Sequence, residues 1–314
     1  MPDVLPITED SIEQAVAILK NGGLIGLPTE TVYGLATDAT DGEAVAGIFA
    51  VKNRPTFNPL ISHVTGLEMA KAHARFSPLA EAFAEAFWPG PLTLVLPKRR
   101  ESAIHPLVTA SLDTIAIRAP GHSAARQVLH RFGRPIAAPS ANPSGKLSPT
   151  RARHVADGLR DAVSLILDGG PCAIGLESTV LEIRGERAHL LREGAVTRED
   201  LEEASGAPLL EADERIRSPG QLLAHYAPDA PLRLNATTPT DDEFMIGFGL
   251  IDGDAMLSSS GNLQEAAKNL FDCLAEANAA GTAAIAVAPI PEKGLGRAIN
   301  DRLRRAATGS QASP

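Results

Sequence analysis

The sequence predicts an α/β protein in two parts, a large N-terminal domain and a small C-terminal one. Three observations carry that reading. Short apolar runs alternate with amphipathic stretches over roughly the first two hundred residues. The pattern breaks across residues 209–231, where Glu211–Arg217 is charged and aperiodic and Ser218-Pro219-Gly220 and Ala227-Pro228 punctuate the chain. Beyond the break, two candidate strands alternate with two helices. The expected division is therefore 1–208, a linker at 209–231, and 232–314.

Taken in order, Ser11–Lys20 reads as a helix with Ile12, Val16 and Leu19 on one face, closed by Asn21-Gly22-Gly23. Leu24–Pro28 follows as a strand. Glu43–Lys52 is helical, with Ala44, Ile48 and Val51 apolar and Pro55 beyond its end. Pro91–Pro97, Thr114–Arg118, Ile136–Pro139, Leu165–Asp168 and Thr179–Ile183 read as strands. In the second part Phe244–Ile251 and Ala283–Ala288 are strands. A helix from about Leu263 to Ala279, stopped by Gly281, lies between them. A last helix, about Gly296–Ala307, turns Ile299 and Leu303 inward.

Composition narrows the function. The 44% apolar and 21% charged content suits a soluble globular chain, and the longest apolar runs are too short to span a bilayer. The first ten residues lack a basic-then-apolar export signal. Cys172 and Cys273 are the only cysteines and lie far apart, which disfavours a disulfide framework or thiolate metal site and points to a reducing cytoplasm. The net charge of −9 argues against nucleic-acid binding through bulk electrostatics. Neither 1–208 nor 209–314 is basic on its own, so any anion site must be a local cluster suited to a small ligand.

Six clusters could form such a site. Pro28-Thr29-Glu30-Thr31-Val32-Tyr33-Gly34-Leu35 follows a strand, and the ends of strands are where open α/β sheets bind ligands. The same hydroxyls could instead satisfy their own turn. In Lys52-Asn53-Arg54-Pro55-Thr56-Phe57-Asn58-Pro59-Leu60-Ile61-Ser62-His63 the helix dipole accounts for one cation. Two prolines stiffening a loop that also bears an amide and an imidazole suit an anionic ligand better. Arg118, ending the apolar run Thr114-Ile115-Ala116-Ile117, needs either a protein carboxylate or a ligand carboxylate or phosphate. Ala138-Pro139-Ser140-Ala141-Asn142-Pro143-Ser144-Gly145, with Ser148 just beyond, offers a hydroxyl- and amide-lined wall. Gly175-Leu176-Glu177-Ser178-Thr179-Val180 and Leu191-Arg192-Glu193-Gly194 complete the set. No phosphate-loop, dinucleotide or serine-elbow signature is present, and no His- or Cys-rich spacing suggests zinc.

Together these clusters resemble the threonylcarbamoyl-AMP synthase family in its long form, over about residues 10–308. The resemblance rests on the six clusters in order and on Ser218–Pro228; Ser62 stands where the family more often has an aliphatic residue. It implies a twisted mixed open sheet with helices (a YrdC-like fold) bearing a basic concave pocket, plus a small Rossmann-like α/β domain. It further implies L-threonine, bicarbonate and ATP as substrates, with Mg²⁺ accompanying ATP. Thr31, His63, Arg118, Ala138 (through its backbone) and Ser178 match threonine-binding positions. Arg54, Asn58, Thr114, Ser140, Ser148, Arg192 and Tyr226 match ATP-binding positions. Lys52 matches a pocket lysine expected, with Arg54, to face phosphate or the carbonate-derived group. The linker bearing Tyr226 is expected to fold back over the pocket, the product to pass to a downstream transferase, and no stable nucleic-acid or membrane binding is expected.

Two other readings compete. YrdC-like domains also occur in carbamoyltransferases that use carbamoyl phosphate, usually behind acylphosphatase and zinc-finger-like segments that are not found ahead of residue 10 here. An RNA-binding module would need aromatic residues interleaved with basic ones, and this chain has 4% aromatics.

Overall fold

The structure, a computed structural model, describes residues 1–211 and 226–311. The N-terminal part builds one mixed sheet of eleven strands. In chain order these are β1 (Asp3–Pro6), β2 (Ile25–Leu27), β3 (Gly34–Asp38), β4 (Ile61–His63), β5 (Leu92–Pro97), β6 (Thr114–Arg118), β7 (Ile136–Ala137), β8 (Leu165–Asp168), β9 (Thr179–Arg184), β10 (Arg187–Arg192) and β11 (Leu210–Glu211). Across the sheet the order is β1-β8-β2-β3-β7-β4-β6-β5-β9-β10-β11. Parallel pairs such as β4 with β6 alternate with antiparallel ones such as β4 with β7 and β5 with β6.

Seven helices flank it: α1 (Glu9–Lys20), α2 (Gly42–Lys52), α3 (Leu67–His73), α4 (Pro78–Phe87), α5 (Ser123–Phe132), α6 (Ala152–Leu159) and α7 (Arg198–Ser205). Helix α1 starts where Thr8 and Ser11 cap each other's backbone amides, and it buries Ile12, Ala15, Val16 and Leu19 at helical spacing. Helix α2 is capped by Asp41 and ends on Asn53 in the left-handed region.

How these helices divide the sheet decides where the site lies. Leu35, Leu94 and Ile117 face one side, in a core shared with residues of α2 and α4 such as Ile48 and Phe83. Their chain neighbours Ala36, Val95 and Ala116 face the other side. There α1 and α5 cover only the half built by β2, β3, β7 and β8. Ile61, Val95, Ala116, Val180 and Leu191 form a separate small apolar patch on the remaining half. That patch is the floor of the site.

The C-terminal part has β12 (Leu232–Leu234), β13 (Glu243–Gly247), β14 (Ala255–Met256) and β15 (Ala284–Val287), with α8 (Leu263–Ala280) and α9 (Leu295–Gln311). Its four strands are all parallel, in the order β12-β15-β13-β14. Two of them were not anticipated because three and two residues are too few to show periodicity. The expected strand Phe244–Ile251 stops at Gly247, since Phe248 and Ile251 bridge each other across a turn. Residues 210–211 still pair with β10, two residues past the expected boundary at 208. Of the expected linker, 212–225 lies outside the described residues, including Ser218-Pro219-Gly220 and His225.

The two parts share a core. Val32 and Leu176 of the first pack in one cluster with Tyr226 of the linker and with Phe271 and Leu270 of the second. Gly175 makes a close approach: its φ is +78°, and a Cβ there would fall 2.5 Å from the Lys268 carbonyl oxygen in α8.

Candidate active site

A cavity opens above the apolar patch, lined by Thr29, Thr31, Val32, Gly34, Arg54, Ile61, His63, Arg118, Ala138, Pro139, Ser140, Glu177, Ser178, Arg192 and Tyr226. It lies over a face of the sheet, and Thr29 and Thr31 of the turn after β2 line it together with His63, Arg118 and Arg192 at the ends of β4, β6 and β10. The mixed topology brings these strand ends together. Because β7 runs antiparallel to β4, Ala138 comes to lie beside Ile61 and donates its amide to the Ile61 carbonyl at 3.1 Å.

One wall is built around Arg118. Its Nη2 donates to Glu30 Oε1 at 2.5 Å, Nη1 to Thr31 Oγ1 at 3.0 Å and Nε to the Gly90 carbonyl at 3.1 Å. Both sequence-level alternatives for Arg118 are thus partly met: a protein carboxylate holds it, and its side chain still lines the cavity. Burial would raise the Glu30 carboxyl, but the Arg118 guanidinium outweighs that and lowers it. The threonine-rich turn also serves two ends. Thr29 Oγ1 accepts from the Thr31 and Val32 amides and closes its own turn, which leaves the Thr31 hydroxyl facing Arg118. His63 pairs in register with Arg118. Burial, then the Arg118 charge, push its imidazole down to about 3, so it is neutral at physiological pH, and its Nδ1 has no partner.

The opposite wall is cationic. Arg54 Nε and Nη2 donate to the carbonyls of Asn58 and Pro59 at 3.1 and 2.9 Å. Arg192 Nε and Nη2 donate to the Ser178 carbonyl at 3.1 and 2.8 Å. Burial, then the nearby Arg192 charge, lower the Arg54 guanidinium to about 10. Ser178 Oγ also pairs with Thr93 Oγ1 at 2.7 Å. Tyr226 fills the near side, its ring tilted by 42° against Phe271 with centroids 5.5 Å apart. Its φ of +62° is unusual for an aromatic residue.

Some expected residues lie off the cavity. Lys52 ends α2 and is buried; its ammonium donates to the carbonyls of Ser140, at 2.6 Å, and Asn142. Burial, then the Arg54 charge, push it well below the usual lysine range. It braces the Ser140 loop by donating to two carbonyls and is not among the residues that line the cavity. Asn58 is buried with its Oδ1 unpartnered, and Thr114 stands at the start of β6 opposite Pro97. Ser148 is one step removed, donating to Glu177 Oε1 at 2.5 Å.

Three residues were missed. Glu30 and Glu177 stood inside quoted clusters, but nothing in sequence showed which arginine each would meet. Arg302, from α9, is wholly buried against Glu177, 125 positions away in sequence. Burial would raise the Glu177 carboxyl, but the guanidiniums of Arg302 and Arg192 and the Ser148 hydroxyl hold it at about 2.

Fold and site together define an α/β enzyme whose cavity is lined by three arginines, Arg54, Arg118 and Arg192, with Tyr226 on its near side. The chain belongs to the threonylcarbamoyl-AMP synthase family. Residues 17–194 match the family model described as telomere recombination, and residues 196–308 match that of the threonylcarbamoyl-AMP synthase C-terminal domain. The threonylcarbamoyl-AMP synthase of Pyrococcus abyssi is 38% identical over 96% of this chain and 95% of its own. That of Bacillus subtilis is 37% identical over 98% and 96%. The crystal structure of P. abyssi Sua5 complexed with L-threonine superposes with a TM-score of 0.90 at 36% identity, covering 99% of this chain and 98% of that one. Among the described residues, no helix is long and apolar enough to cross a membrane.

Proposed function

We propose that this chain condenses L-threonine, bicarbonate and ATP into threonylcarbamoyl-AMP, releasing pyrophosphate and water, to supply the threonylcarbamoyladenosine modification of tRNA. The observation that carries the reading is the pair Arg54 and Arg192. Two buried guanidiniums on one cavity repel each other, so an anion between them is stabilised by both. Given the family, we take that anion to be the phosphate chain of ATP.

The threonine carboxylate would lie against Arg118, already aimed by Glu30, Thr31 and the Gly90 carbonyl. His63, Thr31, Ser178 and the Ala138 backbone would recognise the rest of the amino acid. The amine attacks bicarbonate, or CO₂ derived from it, and a C–N bond forms as water leaves. A carbamate oxygen then attacks the α-phosphorus, and the bond to pyrophosphate breaks. No enzyme nucleophile is needed. Catalysis is positioning and charge stabilisation, with Arg54 and Arg192 on the phosphates. Ser140 and Tyr226, which line the cavity, would hold the remaining nucleotide, while Ser148 would act through Glu177 and Lys52 through the loop it braces.

The cavity measures about 50 Å³, against the several hundred typical of ligand pockets. Substrates therefore require the Tyr226 wall to move, and we assign the linker the role of a lid. A closed lid would also keep water from the labile carbamate. Mg²⁺ would enter on the triphosphate. Glu30 and Glu177 are committed to Arg118 and Arg302, and the described residues hold no cluster of three His, Cys, Asp or Glu, so we propose that Mg²⁺ is carried by ATP and not by a protein cage. Cys172 and Cys273 are buried free thiols, which fits the proposed cytoplasmic setting, where a transferase would take the product.

Incubation with ATP, threonine and labelled bicarbonate tests the proposal. Threonine-dependent pyrophosphate release with a labelled adenylate is expected. Binding of tRNA without ATP turnover would overturn it.

A further inference from the structure

Arg302 belongs by sequence to the C-terminal domain, yet its guanidinium serves the wall of the N-terminal cavity. Nε donates to Glu177 Oε2 at 2.9 Å. Nη1 donates to the Glu193 carbonyl at 2.7 Å and to Asp301 Oδ2 at 2.9 Å. Its central carbon stands 5.5 Å from the centroid of the Tyr226 ring. The side chain is 0% exposed, and Nη2 has no partner. An apolar side chain would join two domains at lower cost than a buried arginine. What a guanidinium adds here is its charge and its fork of donors.

Glu177 is the group that needs that charge. It lines the cavity beside Arg192, whose cationic charge it faces. Left without another cation, a buried carboxylate in that position would neutralise Arg192 and compete with the incoming phosphates. Arg302 neutralises it from behind. The same contact fixes Glu177 Oε1 for the Ser148 hydroxyl, and the Glu193 contact fixes the residue next to Arg192.

We propose that Arg302 is a positioning residue for the nucleotide half of the site: by holding Glu177, the Glu193 carbonyl and the Tyr226 ring, it reserves Arg192 for phosphate. This gives the C-terminal domain a direct part in ATP recognition, and it rests on the reaction proposed above. The threonine half, built on Arg118, Thr31 and His63, makes no described contact with Arg302.

The test compares wild type, Arg302→Met, Arg302→Lys and the double variant Arg302→Met/Glu177→Gln. Steady-state kinetics are paired with calorimetric titration of ATP in the absence of threonine. Arg302→Met is expected to raise the ATP KM and Kd about tenfold or more while moving the threonine KM less than about threefold. The double variant, lacking the competing carboxylate, is expected to recover much of the ATP affinity, a rescue that a purely structural defect would not show. Arg302→Lys keeps the charge but not the fork and is expected to fall between. If Arg302→Met does not fold, the Lys and double variants decide. Equal rises in both KM values, or a double variant weaker than the single one, would overturn the assignment. Calorimetric ATP binding that follows this pattern in a protein with no pyrophosphate release would instead count against the proposed reaction alone.

Discussion

Glu30 and Arg118 meet at 2.5 Å on the cavity wall, 88 positions apart in sequence, and the carboxylate holds the guanidinium from the side. The remaining N–H groups of Arg118 are thereby aimed and not merely present. A clamp held this way loses little conformational entropy when a ligand carboxylate arrives.

Replacing Arg118 with alanine should therefore cost about 2–5 kcal/mol of substrate or transition-state binding, a fall of roughly 30-fold or more in kcat/KM for threonine. Adding Glu30→Gln removes the carboxylate left behind and should recover thermal stability without recovering threonine affinity. Near-wild-type threonine kinetics in Arg118→Ala would exclude the clamp.

His63 makes stability depend on pH. Its imidazole titrates at about 3 in the fold, against an ordinary value near 6.5. Between those values the unfolded chain binds the proton and the folded one does not, so stability is full above about pH 6.5 and falls as the pH drops. From pH 6.5 to 5 the loss should be about 2 kcal/mol. Urea unfolding of wild type and His63→Asn across that range measures it. The variant should show a shallower decline, and equal slopes would contradict the buried neutral imidazole.

Ser62 lies between two cavity residues on β4 but faces the opposite side of the sheet, buried with no partner for its hydroxyl. An orphaned buried hydroxyl is destabilising, so Ser62→Ala should raise stability by about 1 kcal/mol. A higher urea midpoint at unchanged slope is the expected result. A drop would mean that the hydroxyl is satisfied.

Gly175→Ala tests how the second domain docks. Its backbone is in the left-handed region, and the added Cβ would press on the carbonyl and Cα of Lys268 at 2.5 and 2.6 Å. We expect a loss of about 2 kcal/mol or more in urea unfolding. If Arg302 reports domain docking to the nucleotide site, the ATP KM should rise with it while the threonine KM changes less. A variant as stable as wild type would refute the close approach.

The sequence by itself determined the α/β class, the break after the first two hundred residues, and the local clusters from Thr29 to Arg192 that meet at one cavity. Those are properties of short stretches: periodicity, punctuation, and polar residues set among Pro and Gly. It did not determine which clusters face each other, because strand order and direction follow from packing: β7 runs antiparallel to β4, and that sets Ala138 beside Ile61. Nor could it place Lys52, which the family resemblance set facing phosphate and which the structure holds against the Ser140 and Asn142 carbonyls. Glu30, Glu177 and Arg302 were invisible for the same reason. A charge's meaning lies in its partner, and partners 88 and 125 positions away are brought together only when the sheet closes and the second domain docks on it.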